Sequence, residues 1–142
     1  MPTVTKSVLV PHTAERMFEL VDRVESYPDF LPWCAGAKVI ERNAQVTRAR
    51  LDIDYHGLKT HFTTRNRKEP PGRMEIELEE GPFDRLDGRW TFTPLGDEGS
   101  RVELSLEYTL ASRAIGQLLA PVFGQIMETL VDGFVERANV TR

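Results

Sequence analysis

Alternation of apolar and polar positions organises most of this chain, and a helical period brackets it at both ends. Thr3 to Val10 (TVTKSVLV) is rich in β-branched residues and stops at Pro11, which predicts a strand. Ala14, Met17, Phe18, Val21 and Val24 then recur at helical spacing. Thr13 is placed to cap that helix, with Glu15 in the favourable first turn. Pro28 biases Tyr27 away from helical geometry, so the helix is expected to end near Ser26. From Ala37 the period becomes two. Leu51, Ile53 and Tyr55 alternate with Asp52 and Asp54, and Thr60, Phe62 and Thr64 with His61, Thr63 and Arg65. Met74, Ile76 and Leu78 alternate with glutamates, and Leu86, Gly88, Trp90 and Phe92 with Asp87, Arg89 and Thr91. Val102, Leu104, Leu106, Tyr108 and Leu110 close the series. Gly57, Pro70-Pro71-Gly72, Gly81-Pro82 and Gly96 to Ser100 supply the turns. Such alternation over successive strands predicts an antiparallel meander with one wet and one buried face.

The last segment returns to a helical period. Ile115, Leu118, Leu119, Val122, Phe123, Ile126, Met127, Leu130, Val131, Phe134, Val135 and Ala138 follow an i, i+3, i+4 pattern. They predict one helix from about Ser112 to Asn139, on the order of 40 Å long. A stripe of that length must lie along the concave face of a sheet to be buried. The expected fold is therefore α+β: a curved antiparallel sheet of about seven strands around a long C-terminal helix, with residues 1–142 forming a single domain.

Composition acts mainly by exclusion. The 40% apolar and 28% charged content is that of a globular chain. Cys34 is the only cysteine, so no internal disulfide can form, and no cysteine–histidine cluster offers a zinc site. The sequence has no signal-peptide pattern and no apolar run approaching a membrane span, which makes the cytoplasm the expected address. The net charge of −4 argues against wholesale electrostatic binding to nucleic acid but leaves room for a local basic patch.

Candidate chemistry is sparse. There is no G-x-S-x-G nucleophile motif and no glycine-rich phosphate loop. His56 and His61 read as solvated strand-end residues. Asp52 with Asp54, and Glu75, Glu77, Glu79 and Glu80, read as wet acidic faces. Two features stand out. The final helix contains Gly116, Gly124, Gly133 and Pro121, although an interior glycine costs about 1 kcal/mol and a proline about 3. Either they bend the helix around a curved sheet, or they leave an apolar hollow toward which Trp90 and Phe92 project. In a close-packed interior a hollow would imply a ligand. The segment Tyr27 to Cys34 (YPDFLPWC) carries two prolines and three aromatics, which predicts a short helical turn or a loop. Its rings, like Phe83, serve either as core at one end of the sheet or as a flap over the cavity mouth. Arg48 and Arg50 share one strand face, as do Arg65 and Arg67; they either balance the interspersed acids or gather into a patch for RNA or phosphate.

At YPDFLPWC, at GPFDRLDGRWTFTP and at APVFGQIMETLVDGFVERA, the chain resembles the coenzyme Q-binding, START-like family. That family is grouped with polyketide cyclase/dehydrase-like proteins and also contains ribosome-association toxins of the RatA type. The resemblance runs from Val8 to Ala138. It implies a helix-grip (START-like, Bet v 1-like) fold around an apolar tunnel. It also implies a non-catalytic carrier of ubiquinone or another isoprenoid lipid that supports respiratory electron transport. Such a carrier needs no cofactor beyond the bound lipid and no metal, and it touches the inner membrane peripherally. Carried over by motif, Tyr27, Pro28, Phe30, Leu31, Pro32 and Trp33 would be the flap. Phe83, Trp90 and Phe92 would be the sheet side, joined by Phe62, and Leu118, Val122, Phe123 and Met127 the helix side. The family's other activity implies a ribosome or RNA partner, reached through Arg48, Arg50, Arg65 and Arg67. A cyclase acting on a polyketide ranks last, because no buried acid–base pair is evident.

Overall fold

The computed structural model describes residues 3–55 and 57–140, except for the side chains at 115, 116, 118 and 128 within the last helix. His56, and the side-chain roles expected of Ile115, Gly116 and Leu118, thus lie outside the described residues. The elements are β1 (Thr3–Val10), α1 (Ala14–Asp22), a 3-10 turn (Val24–Asp29), β2 (Cys34–Arg42), β3 (Val46–Tyr55), β4 (Leu58–Glu69), β5 (Arg73–Glu80), β6 (Phe83–Leu95), β7 (Gly99–Leu110) and α2 (Arg113–Val140). The strands form one antiparallel seven-stranded sheet in the order β1-β7-β6-β5-β4-β3-β2. Strands β2 to β7 are consecutive hairpins, and β1 closes the far edge against β7.

Period-two patterning sets the register. Leu51 faces Phe62, Met74 faces Trp90, and Trp90 faces Leu104, so one face of the sheet is lined with apolar side chains. The stripe of α2 lies on that face. Phe123, Ile126, Val131 and Phe134 are essentially fully buried. The Phe134 ring meets Tyr27 and Trp90 edge-on at 5.1 and 5.5 Å, and Phe123 meets Tyr108 and Phe83 at 4.7 and 5.0 Å. Such edge-to-face pairs add to the burial energy of the rings.

Helix ends show where local rules hold and where they yield. The Thr13 hydroxyl accepts from the Arg16 backbone N–H at 3.1 Å, as an N-cap should. At the other end α1 stops at Asp22, short of the expected Ser26. Arg23 leaves helical geometry, and the chain tightens into the 3-10 turn that takes in Tyr27 and Pro28. The exposed Asp22 carbonyl accepts from the Arg42 guanidinium at 2.9 Å, so a side chain from β2 completes the helix end.

Helix α2 runs from Arg113 to Val140 with Pro121 inside it and solvent-exposed. A β-carbon at Gly124 would meet nothing within 4 Å. Neither Pro121 nor Gly124 is among the residues that border the space between helix and sheet, so that space is not lined by the positions expected to open it.

The inner face of β4 departs from an all-apolar pattern. Thr64, Asn66 and Lys68 are buried alongside Phe62, and Thr47 is buried on β3. Asp22 serves two of them, accepting from Thr47 Oγ1 at 2.8 Å and from Lys68 Nζ at 3.1 Å.

Candidate ligand cavity

A space of about 80 Å³ remains between α2 and the sheet. The sheet contributes Ala49 and Leu51, Phe62, Thr64 and Asn66, and further residues of β5, β6 and β7, Trp90 among them. Phe123, Met127, Leu130 and Phe134 come from α2, and Val21, Val24, Tyr27 and Trp33 complete the lining from α1, the 3-10 turn and the loop before β2. The wall is almost wholly apolar because the inward register of each strand is apolar.

Six of the residues named from the sequence border this space: Tyr27, Trp33, Phe62, Trp90, Phe123 and Met127. Others stand apart. Leu31 is buried under α2 against Gly133. Phe83 packs into a ring cluster with Phe62, Tyr108 and Phe123. Phe92 is sandwiched between Trp90 and Phe18. Val122 is half-buried and off the cavity wall, and the Leu118 side chain lies outside the described residues. Phe30 faces a separate surface cleft beside Arg16 and Arg23, with the Arg137 guanidinium 5.2 Å from its ring centre. The aromatic segment thus divides: the 3-10 turn draws Tyr27 inward, and Phe30, just beyond it, keeps an edge at the surface.

Tyr27 is the only titratable side chain among the cavity-lining residues described. Its hydroxyl donates to the Val21 carbonyl. Burial, and then the charge of Asp22, pushes its ionisation far above the ordinary phenol value. A hydroxyl so held is neither a general base nor a ready acid near neutrality. Below it, burial raises the Cys34 thiol to about 11, which keeps it protonated and unreactive. No group of three histidine, cysteine, aspartate or glutamate residues able to hold a metal occurs among the described residues.

Sequence reasoning missed Asn66. The signal was present in TTRNRK: Arg65 and Arg67 mark the outward register, so Thr64, Asn66 and Lys68 must point inward. Two buried polar atoms on cavity-lining residues have no hydrogen-bond partner, Trp33 Nε1 and Asn66 Oδ1.

The four arginines named as a patch lie on the outer face, and Arg48 is directly opposite Arg65. Carboxylates interleave with them. Arg48 meets Glu79 at 3.0 Å and Glu41 at 3.5 Å, Arg50 meets Asp52 at 2.9 Å, and Arg67 pairs with Glu77. The face carries mixed charge rather than a concentrated positive field.

A curved antiparallel sheet gripping one long helix over an apolar space defines the helix-grip, START-like class of folds. The chain belongs to the family described as polyketide cyclase/dehydrase and lipid transport, whose profile matches residues 10–135. It is 38% identical over 136 residues to the ribosome association toxin RatA of Pseudomonas aeruginosa, spanning 96% of this chain and 94% of that one. It is 25% identical over 139 residues to the mitochondrial coenzyme Q-binding protein of Schizosaccharomyces pombe, spanning 94% and 85%. A crystal structure from Thermus thermophilus superposes with a TM-score of 0.82 at 30% identity, covering 96% of this chain and 97% of that one.

Proposed function

We propose that this protein is a non-catalytic carrier that holds a hydrophobic ligand, ubiquinone or a similar isoprenoid lipid, between α2 and the sheet. The observation that carries the reading is the cavity wall, which is apolar throughout except for a few buried polar groups and offers no acid–base pair. The kinship with a coenzyme Q-binding protein supports it. The free space is well below the roughly 300–1,000 Å³ of small-molecule sites. Binding therefore requires α2 and the Tyr27–Trp33 segment to part from the sheet, a ligand-favoured shift toward a wider state. No helix among the described residues is long and apolar enough to cross a membrane, so a carrier of a membrane lipid would work from the membrane surface. In respiratory electron transport this means shuttling quinone between the inner membrane and its enzymes.

The test uses the two tryptophans, Trp33 and Trp90, both of which line the cavity. Native mass spectrometry should find a co-purifying lipid, and titration with a short-tailed ubiquinone should quench the fluorescence. A lipid-free protein with no quenching overturns the reading.

A second reading is favoured by the near full-length kinship with RatA: docking on the ribosome to inhibit subunit association, through Arg48, Arg50, Arg65 and Arg67. Overproduction should then raise free subunits at the expense of joined ribosomes in sucrose gradients, and glutamate at those arginines should abolish the effect. Unchanged profiles remove it. A cyclase-type activity has the least support, because Tyr27 is the one titratable group on the described cavity wall and its hydroxyl is already engaged.

A further inference from the structure

We infer that the surface cleft between α1 and the last turns of α2 is a second binding site, which takes the terminal phosphate of a monoester. It lies outside the space between helix and sheet and stands whether or not a lipid occupies that space.

Arg16 and Glu19 of α1, Arg23 at its end, Ser26 of the 3-10 turn, Phe30 and Arg137 of α2 border a cleft of about 100 Å³. Rings close it off from the interior. Phe30 meets Tyr27 edge-on at 6.1 Å and Phe134 at 5.4 Å, and those two rings line the cavity. The volume is far below the roughly 300–1,000 Å³ of sites that enclose a whole small molecule, so the cleft fits one group of a ligand.

Three guanidinium groups against one carboxylate, Glu19, leave this wall an excess of two positive charges. Neighbouring acids are engaged elsewhere. Asp22 accepts from Thr47 and Lys68, and Glu25 accepts from both terminal nitrogens of Arg42 at 2.6 and 2.8 Å. Two of the arginines are anchored by the fold: Arg16 donates to the Ala138 carbonyl at 2.8 Å, and the Arg137 guanidinium lies 5.2 Å from the centre of the Phe30 ring. Anchored side chains lose less freedom when a ligand arrives. On the outer face of the sheet, carboxylates interleave with Arg48, Arg50 and Arg67. Here the arginines converge on a concave space, which focuses their field.

Like charges gathered in this way repel, and an anion between them relieves the repulsion. The planar fork of a guanidinium matches the oxygens of a phosphate, and the Ser26 hydroxyl is a further donor at the same wall. A monoester phosphate carries a charge of about −1.5 to −2 near pH 7 and three acceptor oxygens. It therefore balances the excess charge and offers each guanidinium its own oxygen. A diester, as in a nucleic-acid backbone, has a single charge and two free oxygens and does neither. The ligand class is a phosphate monoester, either a soluble ester or the head group of a phosphatidate-type lipid.

The experiment titrates the full chain with glycerol 3-phosphate, and with dimethyl phosphate as the diester, by calorimetry at constant ionic strength. Wild-type protein is compared with Arg23→Gln, Arg137→Gln and, as a control at an exposed position of β6, Arg85→Gln, each checked for folding by circular dichroism. The wild type should prefer the monoester by about tenfold or more. Arg23→Gln and Arg137→Gln should each weaken monoester binding by about tenfold, the loss of one charge-assisted hydrogen bond, and Arg85→Gln should leave it unchanged. Arg23 is exposed at the rim, so Arg23→Gln carries the test if Arg137→Gln fails to fold. Flotation with phosphatidylcholine vesicles, with and without phosphatidate, separates the two sources. Retention on phosphatidate vesicles alone, lost in Arg23→Gln, assigns the site to the lipid head group, and binding of the free ester without retention assigns it to a soluble ester. No binding of either monoester, equal affinity for monoester and diester, or equal weakening in Arg85→Gln overturns the inference. So does tighter binding of an RNA oligonucleotide lacking a terminal phosphate, lost in the same variants, which would make the cleft a contact for nucleic-acid backbone.

Discussion

Gly133 of α2 stands against Leu31 so closely that a β-carbon built on the glycine would lie 2.7 Å from Leu31 Cδ2. The missing side chain lets the helix settle on the loop that follows the 3-10 turn. Gly124, in the same helix, has open space where its β-carbon would be. Alanine at 124 should therefore stabilise the protein by about 0.5–1 kcal/mol, through helix propensity and reduced freedom of the unfolded chain. At 133 the same gain is offset by displacement of Leu31, whose buried methyl group must move. Urea unfolding should show a raised midpoint for Gly124→Ala and none for Gly133→Ala. Equal gains at both positions would refute the packing argument.

Asp22 ties the end of α1 to strands β3 and β4. Its carboxylate takes hydrogen bonds from Thr47 and Lys68, and the Lys68 side chain is only 5% exposed. Asp22→Ala strands that ammonium, so a loss on the order of 3 kcal/mol is expected in chemical denaturation. Combining Asp22→Leu with Lys68→Met should recover most of it, since no buried charge then lacks a partner. A double variant as unstable as Asp22→Ala would show that the loss has another origin.

Stability should fall in alkali. Burial raises the Cys34 thiol from its ordinary 9.0 to about 11, and burial also raises the Tyr27 hydroxyl. Above pH 9 the unfolded chain releases the thiol proton while the folded chain keeps it. The unfolded state then binds fewer protons, so the free energy of unfolding drops as pH rises. Melting temperature should decline between about pH 9 and 11, and Cys34→Ala should make the decline shallower. A wild-type profile parallel to that of Cys34→Ala across this window would contradict the shift.

Ala49 offers a way to fill the cavity. It is buried on β3 opposite Thr64 and borders the free space. Valine there suits a strand and adds apolar volume, so a gain of about 0.5–2 kcal/mol is expected in the ligand-free protein. Quinone affinity should fall at the same time, measured by calorimetry. Gained stability with undiminished affinity would place the ligand elsewhere.

Much of the architecture was legible residue by residue. Phe123, Ile126, Met127, Leu130 and Phe134 repeat at a helical period, which is enough to draw α2 nearly to its observed ends. Leu51, Ile53, Met74, Trp90 and Leu104 alternate with polar neighbours, which defines the strands and their buried face. Thr13 announces its own cap. The resemblance at YPDFLPWC and at the α2 motif reached the right family. The candidate site was legible in part, because Tyr27, Trp33, Phe62, Trp90, Phe123 and Met127 are large apolar residues on faces that must turn inward.

What only the tertiary structure decided concerns partners that lie far apart in the chain. Phe30 is only half-buried, with one side against Phe134 and the Arg137 guanidinium over its ring, although it belongs to the same motif as the buried Tyr27. Arg48 and Arg67 look like a basic patch until Glu79 and Glu77 arrive from β5. Pro121 and Gly124 suggest a hollow, yet the space is bounded by side chains elsewhere along α2. Asn66 reads as one more polar strand position until the strand register turns it inward and leaves its oxygen unmatched. Periodicity, capping and turn preference act over a few residues, so the sequence by itself determined the elements and their buried faces. Charge neutralisation, the satisfaction of a buried polar atom and the volume left between two packed surfaces depend on groups from several elements at once, and those appear only when the chain has closed on itself.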